Sequence, residues 1–178
     1  MGRISVQPSA AERIEPLPGD ELVARADVVM DRCFTVPAPP EQVWPWLVQL
    51  GKRRAGWYLP RPVERWLPRR ASRRIEPAWQ QLAVGAVVPD WGGRQATFTV
   101  VDLAAGAHVV FWSRRGRLQL TWAVVLRPEA RGSRVQLRLR LGGVRHRRLA
   151  RYAGGVLDWL TVLGLAAGLR ERVADGSG

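Results

Sequence analysis

Asp158 is the residue of this chain best placed to do chemistry. It interrupts the near-apolar run 156–169, beside Trp159. A carboxylate turned inward from such a run needs a cation or a hydroxyl as partner, or its pKa rises. Either state suits a group that orients a ligand hydroxyl or accepts a proton. Turned outward, it pairs with a nearby arginine such as Arg151 and has no further role. Tyr58, a phenol in an irregular stretch, is the second candidate, and Asp90 and Glu64 are weaker ones of Asp158's kind. The two histidines, His108 and His146, are not at metal-ligand spacing. His146 sits in an Arg-rich turn and reads as exposed; His108 opens a strand and reads as structural. The chain has no Gly-x-Ser-x-Gly, no phosphate loop and no dinucleotide fingerprint, so neither a metal nor a cofactor is expected. Its one cysteine, Cys33, excludes an internal disulfide and a cysteine cluster.

Aromatic residues give a second kind of site. Of nine tryptophans, Trp57 and Trp66 fall with Tyr58 in the irregular stretch. Trp91 sits in a turn, Trp112 and Trp122 on strands, and Trp159 on the last helix. Large apolar rings with one polar handle suit a pocket for a flat or lipidic ligand, and they suit an ordinary core equally. Trp122 alternates in step with Leu118, Leu120 and Val124 and is expected on the inner side of a sheet. Trp112 is in step with Val110, and its side is open.

The elements that would position these groups follow from periodicity. Residues 28–36 alternate, with Val28, Met30, Phe34 and Val36 on one face and Arg32 as the exception. Pro37, Pro39 and Pro40 end that strand and start a helix on which Val43, Trp46, Leu47 and Leu50 share a side, up to Gly51. A second short helix fits 63–67, between Pro62 and Pro68. A short strand fits 85–89, and Asp90-Trp-Gly-Gly93 is a turn. Strands follow over 96–103, 108–115 and 117–127. In the next strand Val135, Leu137, Leu139 and Leu141 face inward, while Arg134, Gln136, Arg138 and Arg140 face water. A final helix over 148–174 carries the stripe Tyr152, Val156, Trp159, Leu160, Leu163 and Ala167. Gly154, Gly155, Gly164 and Gly168 each cost about 1 kcal/mol against Ala there. Such glycines imply close approach by the sheet or by a ligand.

Length and charge set the outer bounds. The 178 residues suit one domain over 28–174, with a partly extended N-terminal arm over 1–27 and a flexible tail over 175–178. The net charge of +13 invites a nucleic-acid partner. All but Lys52 of the 28 basic residues are Arg, however, scattered over 52–54, 69–74, 114–117 and 145–151. No RNA-binding aromatic signature or helix-turn-helix pattern accompanies them. A solvated face, with transient contact to anionic membrane, is the expectation, not nucleic acid. Residues 1–17 lack the apolar run of a secretory peptide, and 156–169 is too short to span a bilayer, so a soluble cytoplasmic protein is expected.

The element order resembles the START-like SRPBCC superfamily, which includes bacterial polyketide cyclase/dehydrase-like and lipid-transport-like proteins. The matching residues are Pro18-Gly-Asp-Glu-Leu22, the block Ala38-Pro-Pro-Glu-Gln-Val-Trp-Pro-Trp-Leu-Val-Gln-Leu-Gly51, Ala55-Gly-Trp-Tyr58, and Val84-Gly85 leading to Val88-Pro-Asp-Trp91. That resemblance implies an α+β helix-grip fold. A curved antiparallel sheet wraps a long C-terminal helix, two short helices follow strand one, and a ligand cavity lies between sheet and helix. In the superfamily pattern an acidic residue commonly follows the glycine at Gly85; here it is Ala86, and any role of that acid is missing. The implied function is binding of a hydrophobic small molecule, lipid or polyketide-like, by Trp57, Tyr58, Trp66, Trp91, Trp112, Trp122 and Trp159, with 52–68 as a lid. The alternatives are an aromatase/cyclase-type enzyme using Asp158 or Tyr58, and a lipid carrier that touches anionic membrane through basic loops such as 69–74. The fold alone hosts all three.

Overall fold

A computed structural model describes residues 4–176. Residues 1–3 of the expected arm and 177–178 of the expected tail lie outside the described residues. The first helix, α1 (Ala10–Ile14), is fixed by a reciprocal cap. Ser9 Oγ accepts from the Glu12 amide at 3.2 Å, and the Glu12 carboxylate accepts from the Ser9 amide at 2.7 Å. A 3₁₀ turn over Asp20–Val23 leads into β1 (Val28–Val36). Pro39 and Pro40 preset the first turn of α2 (Pro40–Gln49), where a missing N–H costs nothing. The second short helix, α3 (Arg61–Glu64), starts earlier than its apolar residues suggest, because Pro62 occupies its first turn.

Then come β2 (Val87–Pro89), β3 (Thr97–Ala104), β4 (His108–Arg115), β5 (Leu118–Glu129) and β6 (Gly132–Gly142). The last helix begins as α4 (Arg147–Leu149), passes through a π turn over Ala150–Gly154 and continues as α5 (Gly155–Asp175). All six strands form one antiparallel sheet in the order β1-β6-β5-β4-β3-β2. Successive hairpins build β2 to β6, and β1 returns to pair with β6, Phe34 opposite Val135. Against the inner face of the sheet, α5 buries Val162, Leu165, Ala166 and Leu169 among Phe34, Val124, Leu126 and Leu137. This is the expected α+β helix-grip arrangement.

Two expectations fail at the faces. The outer side of β6 is not wet. The segment before β1 lies over it, leaving Gln136 and Arg138 only 1% and 3% exposed. Arg138 is satisfied on every side. It reaches Asp31 at 2.6 Å and Asp20 at 2.7 Å, and donates to the main-chain oxygens of Glu12, Arg13 and Glu15. Those carbonyls at the end of α1 are the ones a helix leaves unpaired. Beside it, Arg134 pairs with Glu12 at 2.7 Å, and this hydrogen bond holds the Glu12 pKa down to about 2. Cys33, on the same face, is fully buried, and burial pushes its thiol up to about 12.

The stripe expected on the last helix is also the wrong one. Tyr152, Val156 and Leu160 are 72%, 59% and 52% exposed, and the buried side runs through Val162, Leu165, Leu169 and Val173. The helix is apolar on nearly every side, so its period cannot choose a face. Counted from Arg147 to Asp175, it is long and apolar enough to cross a membrane by length and composition, although the run 156–169 alone is not. Its second half is nevertheless core of the domain.

Of the four glycines, Gly164 and Gly168 admit neither sheet nor ligand but the loop after α2, Gly154 faces the Met30 side chain of β1, and Gly155 meets nothing within 4 Å. A Cβ on Gly168 would lie 2.6 Å from the Leu59 amide nitrogen and 2.7 Å from its carbonyl, and one on Gly164 would meet the Leu59 side chain. One turn further on, Arg172 is fully buried. It pairs with Glu64 at 2.6 Å and donates to the main-chain oxygens of Ser72, Leu59 and Gly168. The segment 59–72 is therefore bolted to the helix.

Gly168→Ala is expected to destabilise the protein by about 1–3 kcal/mol, since the contacted atoms are backbone and cannot swing away. Gly155→Ala, which meets nothing within 4 Å, should instead stabilise by up to about 1 kcal/mol through helix propensity. Urea unfolding of both variants checks the pair; equal effects would refute the close-approach account.

Candidate functional site

Where α5 leaves the sheet, an apolar cleft of about 390 Å³ opens between them. Its floor is the inner face of the strands: Val88, Phe98, Phe111, Leu120, Trp122 and Leu139. The register explains the grouping, since Phe111 on β4 lies opposite Trp122 on β5, and Trp122 lies opposite Leu139 on β6. One wall is Leu50, Gly51 and Trp57, where the chain leaves α2. Asp90, Trp91 and Gly92 form the rim, and Leu157 and Asp158 of α5 close the remaining side.

The rings form a connected set. Trp122 stacks on Phe111 at 5.3 Å between centroids, Trp57 lies 6.0 Å from Trp122, and Trp91 meets Trp57 edge-on at 5.8 Å. Trp57 and the turn of Trp91 are held from behind. Trp57 Nε1 donates to the Thr161 carbonyl on α5 at 3.0 Å. The turn bearing Trp91 is fixed by Lys52, the chain's one lysine, whose ammonium donates to the carbonyls of Asp90 at 2.7 Å and Gly93 at 2.9 Å. Arg115 pairs with the Asp90 carboxylate.

The polar element of the cleft joins the two anomalies of the sequence. Asp158 does not face solvent or pair with Arg151. It lies 2.9 Å from Nε of Arg32, the one charged residue on the inner face of β1. The Nε–H is not aimed at the carboxylate, so the contact is an ion pair without a hydrogen bond. Arg32 is anchored separately, donating to the carbonyls of Asp31 and Gly155, both at 2.8 Å. Burial raises the Asp158 pKa above its ordinary value, and Arg32 offsets only part of that. The cleft thus offers aromatic walls and one desolvated carboxylate, an acceptor for a ligand hydroxyl.

The structure brings Trp57, Trp91, Trp122 and Asp158 together, with Asp90 at the rim, and leaves the other expected residues elsewhere. Tyr58 is fully buried in the core, donates its hydroxyl to the Trp46 carbonyl at 2.8 Å and lies under the Arg172 guanidinium. Burial raises its pKa, and it does not touch the cleft. Trp112 pairs in register with Thr121, on the opposite face from Phe111 and Trp122. Trp66 is 78% exposed beyond α3, against the Arg65 guanidinium. Trp159 lines a separate shallow depression with Arg32, Arg151 and Tyr152. Glu64 and Asp90 are structural partners of Arg172 and Arg115, and His108 contacts Asp102 at 3.0 Å. Among the described residues no group of three or more His, Cys, Asp or Glu could hold a metal ion. Phe98 and Phe111 were not anticipated as cleft residues; the alternation of β4, set against Trp122 on β5, was the available signal.

No family model matches the chain, and no curated protein matches it in sequence. Solved structures do. A Rhodobacter sphaeroides protein shares 14% identity over 97% of this chain and 99% of its own, with a TM-score of 0.58. A Nitrosomonas europaea protein shares 14% over 91% and 99%, with a TM-score of 0.54. DynU16, from the dynemicin biosynthetic locus, shares 15% over 83% of this chain, with a TM-score of 0.52; the match spans 48% of DynU16. At these identities the likeness shows the helix-grip fold.

The raised pKa of Asp158 has a definite sign in stability. Between the unfolded value near 3.8 and the raised folded value, the folded state binds more protons than the unfolded one. Relative to Asp158→Asn, the parent protein should therefore lose stability as pH rises through that window and stay the less stable of the two at neutral pH. Urea unfolding at a series of pH values reads this directly. A parent that gains on the variant with rising pH would mean that the Arg32 ion pair outweighs burial.

Proposed function

We propose that the protein binds a hydrophobic small molecule, with its apolar or ring portion between Trp57, Trp91 and Trp122 and a hydroxyl directed at Asp158. The observation that carries this reading is the cleft, apolar on its walls and floor, with Asp158 on one side and the Arg115-paired Asp90 at its rim. Its volume of about 390 Å³ lies in the range of small-molecule sites. Burying roughly 300 Å² of apolar ligand surface contributes about 7 kcal/mol before association costs, which supports binding in the micromolar range. The START-like SRPBCC resemblance agrees with a cavity between sheet and helix. A polyketide-like ligand is one of the two classes considered, and the fold shared with DynU16 is a reason to test it first.

Asp158 also supports a second reading, an aromatase/cyclase-type reaction in which its carboxylate accepts a proton from a bound polyketide-like chain. Desolvation favours proton uptake by this group. Tyr58, locked to a core carbonyl, takes no part in either reading.

The test is titration with N-phenyl-1-naphthylamine, whose fluorescence rises in apolar sites. Saturable micromolar binding is expected, with Leu139→Trp, which fills the floor, weakening it at least tenfold. Displacement by a hydroxyanthraquinone but not by a long-chain fatty acid assigns the polyketide-like class, and the reverse assigns lipid. Absence of binding, or equal binding by the filled variant, would refute the cleft as the site.

A further inference from the structure

We infer that the first half of the terminal helix is a docking surface for an anionic lipid bilayer. The helix enters the hydrophobic core only from about Val162 onward; before that, β1 holds one side of it through Arg32, at Gly155 and Asp158. Over this first half, Leu149, Tyr152, Val156, Leu157 and Leu160 are between 52% and 72% exposed. Exposure at three successive positions, 151–153, means that solvent reaches the helix from most sides. This is a ridge flanked by shallow depressions on either side. A fluid surface can close around a ridge, whereas a folded partner would need a matching groove.

Charge selects the kind of surface. The stretch 143–157 holds four arginines and no acidic residue. Of these, Arg147 is held by Asp27 at 2.6 Å, while Arg145, Arg148 and Arg151 make no ion pair among the described residues. Apolar residues interleaved with uncompensated arginines are the composition of helices that lie in the headgroup region of anionic membranes, and Tyr and Trp favour that depth. The loop at 69–74 suits the role less. Its Arg73 is already paired with Glu64, Glu171 and Asp175, and its Arg74 with Glu76. Leu157 belongs both to the ridge and to the cleft, so docking would bring the cleft mouth to the bilayer. The docking itself does not depend on what the cleft binds.

Sedimentation with vesicles of phosphatidylcholine, with and without phosphatidylglycerol, tests the inference in the absence of any cleft ligand. Binding only to the phosphatidylglycerol vesicles is expected, weakening as salt is raised. Each arginine near such a surface contributes roughly fivefold. The Arg148→Glu, Arg151→Glu double variant should therefore bind at least about tenfold more weakly, and Leu160→Glu, which keeps the arginines, should also weaken binding. Arg69→Glu with Arg70→Glu, the same charge change elsewhere, should bind nearly as the parent does. No binding to anionic vesicles would overturn the inference, as would an equal loss in the control variant. Sedimentation velocity without vesicles adds a third refuting outcome: a dimer that Leu160→Glu dissociates would assign the ridge to a second copy of the chain.

Discussion

A buried guanidinium is tolerable only when its donors are all used, and two such groups hold this chain together. Arg172 and Arg138 sit on opposite faces of the sheet, at 0% and 3% exposure. Each meets a carboxylate and several main-chain carbonyls. Removing a carboxylate partner would strand a desolvated charge, a loss of about 3–5 kcal/mol for a buried pair. Their contribution here is in where the irregular chain goes. Arg172 fixes 59–72 against α5, and Arg138 fixes the segment before β1 over the outer face. Packing alone would not specify either path, because neither segment has a regular apolar period.

The candidate site inherits its geometry from the first of these anchors. Leu59 is pressed onto Gly168, and two residues earlier Trp57 is tied to the Thr161 carbonyl. The expected lid, 52–68, is thereby a wall. Trp91 is the ring left on a turn, half exposed at the rim, and Lys52 and Arg115 hold that turn. The cleft exists because the sheet continues past the point where α5 departs from it. Asp158 stands at that point, and Arg32 is the counter-ion that lets a carboxylate stay there.

Much of the fold was legible in the sequence. Alternation located the long strands and placed Trp122 inward, and the prolines and Gly51 bracketed α2. What stayed hidden depends on partners far apart in the chain. The spacing of Ser9 and Glu12 is that of a capping box and marks a helix start, but nothing local says that α1 covers Arg138. Arg32 and Asp158 were each visible as an exception in an apolar pattern. Their pairing joins positions on different elements and needs the tertiary structure. Tyr58 and Trp57 are neighbours in sequence with opposite fates: Tyr58 is tied to the Trp46 carbonyl in the core, Trp57 to the Thr161 carbonyl at the cleft. The last helix misled for the converse reason: with apolar residues all round, its buried face is decided by the sheet and not by its own period.

Binding in the cleft is the central claim, and native mass spectrometry of the protein purified from its own host tests it most directly. The account predicts a co-purifying small molecule of discrete mass on the parent protein, lost on denaturation and absent from Leu139→Trp prepared in the same way. A parent protein that carries no molecule, or a variant that retains the same one, would contradict it.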